Sequence, residues 1–304
     1  MQSLATTDRK PQFILGVGAQ KAGTTWLFDY LQQHPQCAMG PMKEIHFFNN
    51  LLARKGQPGL MWFQFRRLKR ALDKRGENLK WGRDPGNGAK LVALLEGLAM
   101  QYEPDRYEAY FERLVDSNPQ ARLIGDITPD YASLGKRSMA KVRDHLEKMG
   151  YPVKVVFLMR DPAERCYSSF RMAARNFVRD GRTKVPASQS EFVPFSCTTR
   201  AASRTRYEKT IAALEANFDK SQIYYGIYED LFNNEEIARI SEFLGVDYVE
   251  PKLDVRKNAG GEKKRPSDDE IRQVREHYRS TYKFCRNKFG AERIDRLWAP
   301  KFSD

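Results

Sequence analysis

Several things are scarce in this chain of 304 residues, and each scarcity excludes a class of protein. Its four cysteines, Cys37, Cys166, Cys197 and Cys285, are too scattered for a metal site or a disulfide framework. They read as reduced, mostly structural thiols. No stretch is long and apolar enough to span a bilayer. The opening MQSLATTDRKPQ lacks the apolar centre of a signal peptide, so this reading places the protein in the cytoplasm. No internal repeat or low-complexity tract is present, which excludes a repeat architecture. Acidic residues are in deficit: 39 Asp and Glu face 52 Lys and Arg, a formal charge of +13. Such an excess favours anionic ligands, although a solvated basic surface accounts for it equally well. With 41% hydrophobic and 12% aromatic residues, the chain can still bury a substantial core.

The most informative scarcity is local. "GVGAQKAGTTWLFDYLQQHP", Gly16 to Pro35, has the look of a phosphate-binding loop feeding a helix. Gly18 and Gly23 have the spacing of a nucleoside-triphosphate loop, but Thr24 stands where GxxxxGK[ST] requires lysine. The lysine is Lys21, inside the loop. A dinucleotide fingerprint fails as well, because GxGxxG needs glycine at Lys21. A magnesium site is also missing where a triphosphatase would carry it: the apolar run Val153 to Met159 ends in Arg160, and Asp161 reads as the N-cap of the next helix, with Pro162 at its first position.

The remaining text alternates between strands and helices. Phe13 to Ala19, Arg122 onward, Val153 to Met159 and Gln222 to Tyr228 read as strands. Helices are expected over Thr24–Gln33, with Trp26, Leu27, Tyr30 and Leu31 on one face, near Thr205–Phe218, over Asn234–Leu244 and from about Ser267 to Phe289. This alternation predicts an α/β fold, a parallel sheet with helices on both faces. Residues 1–10 read as a loose arm and 11–304 as one domain. Leu51 to Tyr102, basic and rich in turn signals, reads as an insertion carrying short helices.

In such a sheet ligands bind beyond the carboxyl ends of the strands, where both the Gly16–Thr25 loop and Arg160 fall. Backbone N–H groups of the turn and the start of the helix can cradle a phosphate. Gly23 allows close approach, Thr24 and Thr25 add hydroxyls, Lys21 adds an ammonium, and Ala22 between them belongs to the same candidate binding loop. "RDPAERCYSSF" supplies a second set: Arg160, and on the following helix Arg165 and Ser168, three apart and expected to share a face. Two phosphate sites on one sheet edge suit a nucleotide with phosphates on both sides of its ribose.

Together "QKAGTTWL" and "RDPAERCYSSF" resemble the sulfotransferases that use 3′-phosphoadenosine 5′-phosphosulfate (PAPS). "HP…KEIHFFN", His34 to Asn49, resembles the heparan-type glycan branch, and "GDITPDY" and "YEDL" are family-like too. The resemblance implies a P-loop-NTPase-like, three-layer sulfotransferase fold and a nucleotide donor, with adenosine 3′,5′-bisphosphate as product. No metal, nucleic acid or membrane span is implied. It also assigns roles. Lys21 contacts the bridging oxygen of the donor, Thr24 and Thr25 hold its 5′-phosphate, and Trp26 packs near the adenine. Arg160 and Ser168 bind the 3′-phosphate. The loop Asn258 to Arg265 folds over the nucleotide, with Lys263, Lys264 and Arg265 as cations or as a solvated charge run. Glu44 matches the glycan-branch base and His46 assists it; either is alternatively a structural loop residue. Residues 51–106 and 177–204, where the resemblance is weakest, would select the acceptor hydroxyl, expected on a glycan or other sugar-containing molecule. The chain departs from the glycan pattern at Ile127, where those enzymes have lysine, and Lys43 is the candidate substitute. Their disulfide-closed C-terminal loop has no counterpart either. A magnesium-dependent phosphoryl-transfer enzyme and a nonenzymatic anion- or nucleic-acid-binding protein are the competing readings.

Overall fold

The computed structural model describes residues 10–52, 65–73, 88–179, 191–251 and 265–299. Five short apolar runs make the sheet: β1 (Gln12–Gly18), β2 (Cys37–Ala38), β3 (Leu123–Ile127), β4 (Val153–Met159) and β5 (Ile223–Ile227). All pairings are parallel, in the order β2-β3-β1-β4-β5. Every residue of β3 is buried, and so is every residue of β4 except Lys154. Near-continuous apolar strands are what a parallel sheet covered on both faces requires.

Parallel neighbours need long crossovers, and helices supply them. α1 (Thr24–Gln33) joins β1 to β2. Between β2 and β3 run α2 (Phe47–Leu51), α3 (65–73), α4 (Gly88–Tyr102) and α5 (Asp105–Ser117). A 3-10 turn, Pro129–Ser133, and α6 (Lys136–Met149) lead to β4. Next come α7 (Pro162–Arg179), α8 (Phe192–Ser196), α9 (Thr199–Ala202) and α10 (Tyr207–Glu215), which lead to β5. Beyond it lie α11 (Asn234–Leu244), α12 (Asp268–His277), α13 (Arg279–Phe289) and α14 (Ala291–Leu297).

Three features differ from the sequence expectation. The final long helix is broken at Tyr278, whose φ of −101° and ψ of 18° leave the helical range. Its ring is fully buried and its hydroxyl donates to the Ser196 carbonyl at 2.6 Å, so a tertiary anchor sets the break. The 51–102 segment contains α4, a helix of 15 residues rather than a short one. On α1 the buried face is Thr24, Leu27, Phe28 and Leu31, while Trp26 and Tyr30 lie at its flank, half-buried and stacked 5.6 Å apart.

The strand order positions the site. From β1 the chain moves out toward β2, and from β3 it crosses to β4 on the other side of β1. A crevice therefore opens beyond the carboxyl end of β1, at the reversal point.

Candidate active site

The loop from Gly18 to Gly23 enters this crevice. Gly23 has φ of +90°, and a Cβ there would lie 2.7 Å from Leu231 Cδ2 and 3.2 Å from the Tyr228 ring. Both conformation and space therefore demand glycine. The same contact shows that the loop abuts the YEDL segment after β5. Ala22 is fully buried, Thr24 is nearly so, and Thr25 is exposed at the first turn of α1. The first N–H groups of α1, with its positive dipole end, thus lie at the crevice.

Lys21 is the electrostatic centre. Burial pushes its ammonium down to about 8, and Arg175, Arg160 and Lys43 add like-charge repulsion that Glu44 opposes. Arg175, Arg160, Lys43 and Glu44 thus all lie within electrostatic reach of Lys21. An anion bound there favours the charged ammonium and raises its pKa again. Binding of a phosphate ligand should therefore take up protons, most strongly just above pH 8. Calorimetry in two buffers of unlike ionisation enthalpy measures this; proton release on binding would contradict the assigned environment.

Arg160, directly after β4, lies beside the loop. Its guanidinium donates to the Lys21 carbonyl at 3.4 Å and to Glu164 at 3.1 Å, and sits 4.6 Å from the Tyr228 ring centroid. Its Nε–H is buried without a hydrogen-bond partner among the described residues. Arg265 donates to the other Glu164 oxygen at 2.8 Å, which brings it to the same place. Lys263 and Lys264 lie outside the described residues. Asp161 caps α7 as expected, accepting the Glu164 N–H at 3.0 Å. Ser168 is half-buried on the α7 face that carries Glu164, Arg171 and Arg175 at helical spacing. Arg165 does not share that face. It is fully buried, donates to Cys166 Sγ at 3.2 Å and lies within electrostatic reach of Tyr207 and Tyr278.

The Lys43–His46 segment rides on the end of β3. The Glu44 N–H donates to the Ile127 carbonyl at 3.3 Å, the His46 N–H to Thr128 Oγ1 at 3.4 Å and the Phe48 N–H to the Tyr131 hydroxyl at 3.4 Å. Thr128 and Tyr131 in turn donate to the buried Asp126 carboxylate at 2.7 and 2.6 Å. GDITPDY is therefore the brace beneath this segment. Ile127 is fully buried and packs over Gly16, where a Cβ would come within 2.8 Å of it. Lys43, whose Nζ lies 2.6 Å from Glu44 Oε1, also acts electrostatically on Lys21, more weakly than Arg175 and Arg160.

Glu44 Oε2 lies 3.9 Å from His46 Nε2, and Arg67 of α3 donates to the Glu44 carbonyl at 3.3 Å. Burial alone pushes the Glu44 carboxyl up, but Lys43, His46 and Arg67 together hold it below the ordinary carboxylate value. Among the described residues, Lys21, Glu44 and His46 are the three non-glycine residues with positive φ, at 74°, 60° and 58°. Strained backbone concentrated in one crevice is a feature of functional sites.

Sequence reading missed Arg175, Tyr228 and Phe232. Trp26 meets Phe232 edge-on at 5.4 Å, and Phe232 meets Tyr228 at 5.0 Å. An aromatic wall thus runs from α1 to Arg160. These residues come from distant stretches, and only the location of YEDL at a strand end hinted at it.

Three comparisons bear on this arrangement. The sequence pattern of the sulfotransferase family matches residues 11–250. The crystal structure of a sulfotransferase from Alicyclobacillus acidocaldarius superposes with a TM-score of 0.51 at 19% identity, covering 96% of this chain and 97% of that one. That likeness is one of fold. The membrane-associated sulfotransferase kil1 of Dictyostelium discoideum is 26% identical over 163 residues, 54% of this chain. Those residues span 23% of that longer protein. With the family pattern running through β1, the Lys21 loop, Glu44, Arg160 and β5, the chain belongs to the sulfotransferase family.

Proposed function

We propose that the chain transfers the sulfuryl group of PAPS to an acceptor hydroxyl. The convergence of Lys21, Arg160 and Glu44 at the crevice beyond β1 carries this reading. The acceptor oxygen attacks sulfur as the bond from sulfur to the bridging oxygen breaks in line, and the electron pair leaves with the 5′-phosphate. Adenosine 3′,5′-bisphosphate and a sulfate ester result. Glu44 takes the hydroxyl proton, with His46 beside it. Lys21 meets the charge that grows on the departing phosphate, assisted by Lys43. Thr24, Thr25 and the start of α1 hold the 5′-phosphate. Arg160, through its unpartnered Nε–H, binds the 3′-phosphate with Ser168 and Arg265. Trp26, Phe232 and Tyr228 offer a flat apolar wall to the adenine.

For the acceptor, a glycan or other sugar-containing molecule is favoured by the resemblance of the His34–Asn49 segment to the glycan branch. Among the described residues, no helix is long and apolar enough to cross a membrane.

Adenosine 3′,5′-bisphosphate should raise the melting temperature with chelator present, and ATP should raise it much less. At a hundredfold excess over the dissociation constant, selective binding adds about 2.7 kcal/mol. Equal shifts with ATP, or a strict need for magnesium, would favour phosphoryl transfer. Tight, salt-dependent binding to nucleic acid that ignores the bisphosphate would favour a nonenzymatic module.

A further inference from the structure

The turn that carries Arg160 is gripped by residues inside the family-matched region and by others beyond it. The Tyr207 hydroxyl donates to the Arg160 carbonyl at 2.8 Å. The Asp161 N–H donates to Glu229 Oε1 at 3.1 Å, and the other Glu229 oxygen accepts from the Trp298 indole N–H at 3.0 Å. Burial pushes the Glu229 carboxyl up to about 7, while the Asp161 N–H and the nearby Arg160 guanidinium hold it down. The Asp161 side chain is held as firmly. It accepts from Arg275 at 2.7 Å and from the Tyr282 hydroxyl at 3.0 Å, and that hydroxyl accepts the Ala163 N–H at 3.3 Å. Arg275 also donates to the Trp298 carbonyl at 2.9 Å, which closes a ring of contacts around the start of α7.

Arg275, Tyr282 and Trp298 lie on or beside α12, α13 and α14, beyond residue 250, where the family match ends. These buried and half-buried polar groups are mutually satisfied around two or three peptide units, and those units decide where the Arg160 side chain points. A side chain that recognises a phosphate through directed N–H groups depends on such support, because a small misplacement lengthens every bond it makes.

We infer that Glu229, together with Arg275 and Tyr282 of the C-terminal helices, positions Arg160 and so sets affinity for the donor's 3′-phosphate. This rests on the reading of Arg160 as the 3′-phosphate ligand. It makes the C-terminal helices part of donor recognition, with the three residues acting through Arg160 rather than as ligands themselves.

The test is calorimetric, with adenosine 3′,5′-bisphosphate and adenosine 5′-monophosphate as probes. Glu229→Gln and Tyr282→Phe keep bulk and remove one hydrogen-bonding function each. Both variants should bind the bisphosphate about five- to tenfold more weakly, the scale of a spoiled charge-assisted hydrogen bond. The monophosphate, which lacks the group Arg160 recognises, should bind each variant as it binds the parent. On an Arg160→Ala background, Glu229→Gln should cost nothing more, because the positioned group is already gone. If Arg160→Ala itself leaves bisphosphate affinity intact, the 3′-phosphate reading falls and the inference falls with it. If Arg160→Ala weakens binding but the folded positioning variants do not, or lose both nucleotides equally, the inference alone is overturned. Melting curves establish folding, and where one variant does not fold the other decides.

Discussion

Glu44→Gln should lower the transfer rate at least a hundredfold and leave the affinity for adenosine 3′,5′-bisphosphate nearly unchanged. A positioned general base contributes about 10²–10⁴-fold. Glutamine keeps the size and one acceptor oxygen for Lys43, which lies 2.6 Å from Glu44 Oε1, but takes no proton at neutral pH. It also tolerates the φ of 60° no worse than glutamate does, so the loop should hold. The depressed carboxyl is ionised, and its side chain is one-third exposed. An ionised carboxylate facing the crevice can accept a proton whose acidity rises only as the new oxygen–sulfur bond forms.

The sign of the pH dependence follows. Glu44 is held below the ordinary 4.5, so it is ionised throughout the neutral range. The rate should lose activity on the acid side only below that value. An acid limb near about 6.5, the ordinary imidazole range, would assign the base to a histidine. His46→Asn is the companion variant and should cost less than Glu44→Gln. Should Glu44→Gln stay active while His46→Asn is dead, the roles are reversed.

Much of this arrangement was legible because the signals were local. Val153–Met159 is an unbroken apolar run stopped by Arg160, Asp161 and Pro162, and the strand, the cap and the helix start all appear where those residues put them. Lys21, Glu44 and Arg160 meet because each lies within a few residues of a strand's carboxyl end or in a segment that rides on one. Arg165 misled for a physical reason. A charge at helical spacing from Ser168 reads as a crevice residue, yet the interior contacts of α7 bury it. Phe28, not Trp26, faces the core of α1, because Trp26 and Tyr30 stack on each other at its edge. Arg175, Phe232 and the contacts that Glu229 and Tyr282 make with the start of α7 left no local trace. They depend on how α7, β5 and the C-terminal helices pack, and hydrophobic periodicity does not encode which distant side chains will meet.

Lys21→Met should separate catalysis from folding. Turnover should fall about 10²–10³-fold, the cost of losing one donor aimed at charge that develops in the transition state. Product affinity should fall far less, because the contact strengthens as the bond to the leaving phosphate breaks. Meanwhile the ligand-free protein should become more stable. In the folded state Lys21 is pushed from 10.5 down to about 8 by burial and by Arg175, Arg160 and Lys43, so its charge opposes folding. Below pH 8 the ammonium is charged both folded and unfolded, and the full cost is present. As pH rises from about 8 toward 10.5 the folded form sheds the proton first and the parent regains stability. The melting-temperature gain of Lys21→Met should therefore be largest at neutral pH and shrink above pH 8. Methionine keeps the apolar stem, so lost packing should not mask the effect. Single-turnover rates, calorimetry with the bisphosphate and melting curves from pH 6 upward make the comparison. A variant that melts lower than the parent at neutral pH, or that loses affinity as much as rate, would show that Lys21 serves binding and structure rather than the leaving group.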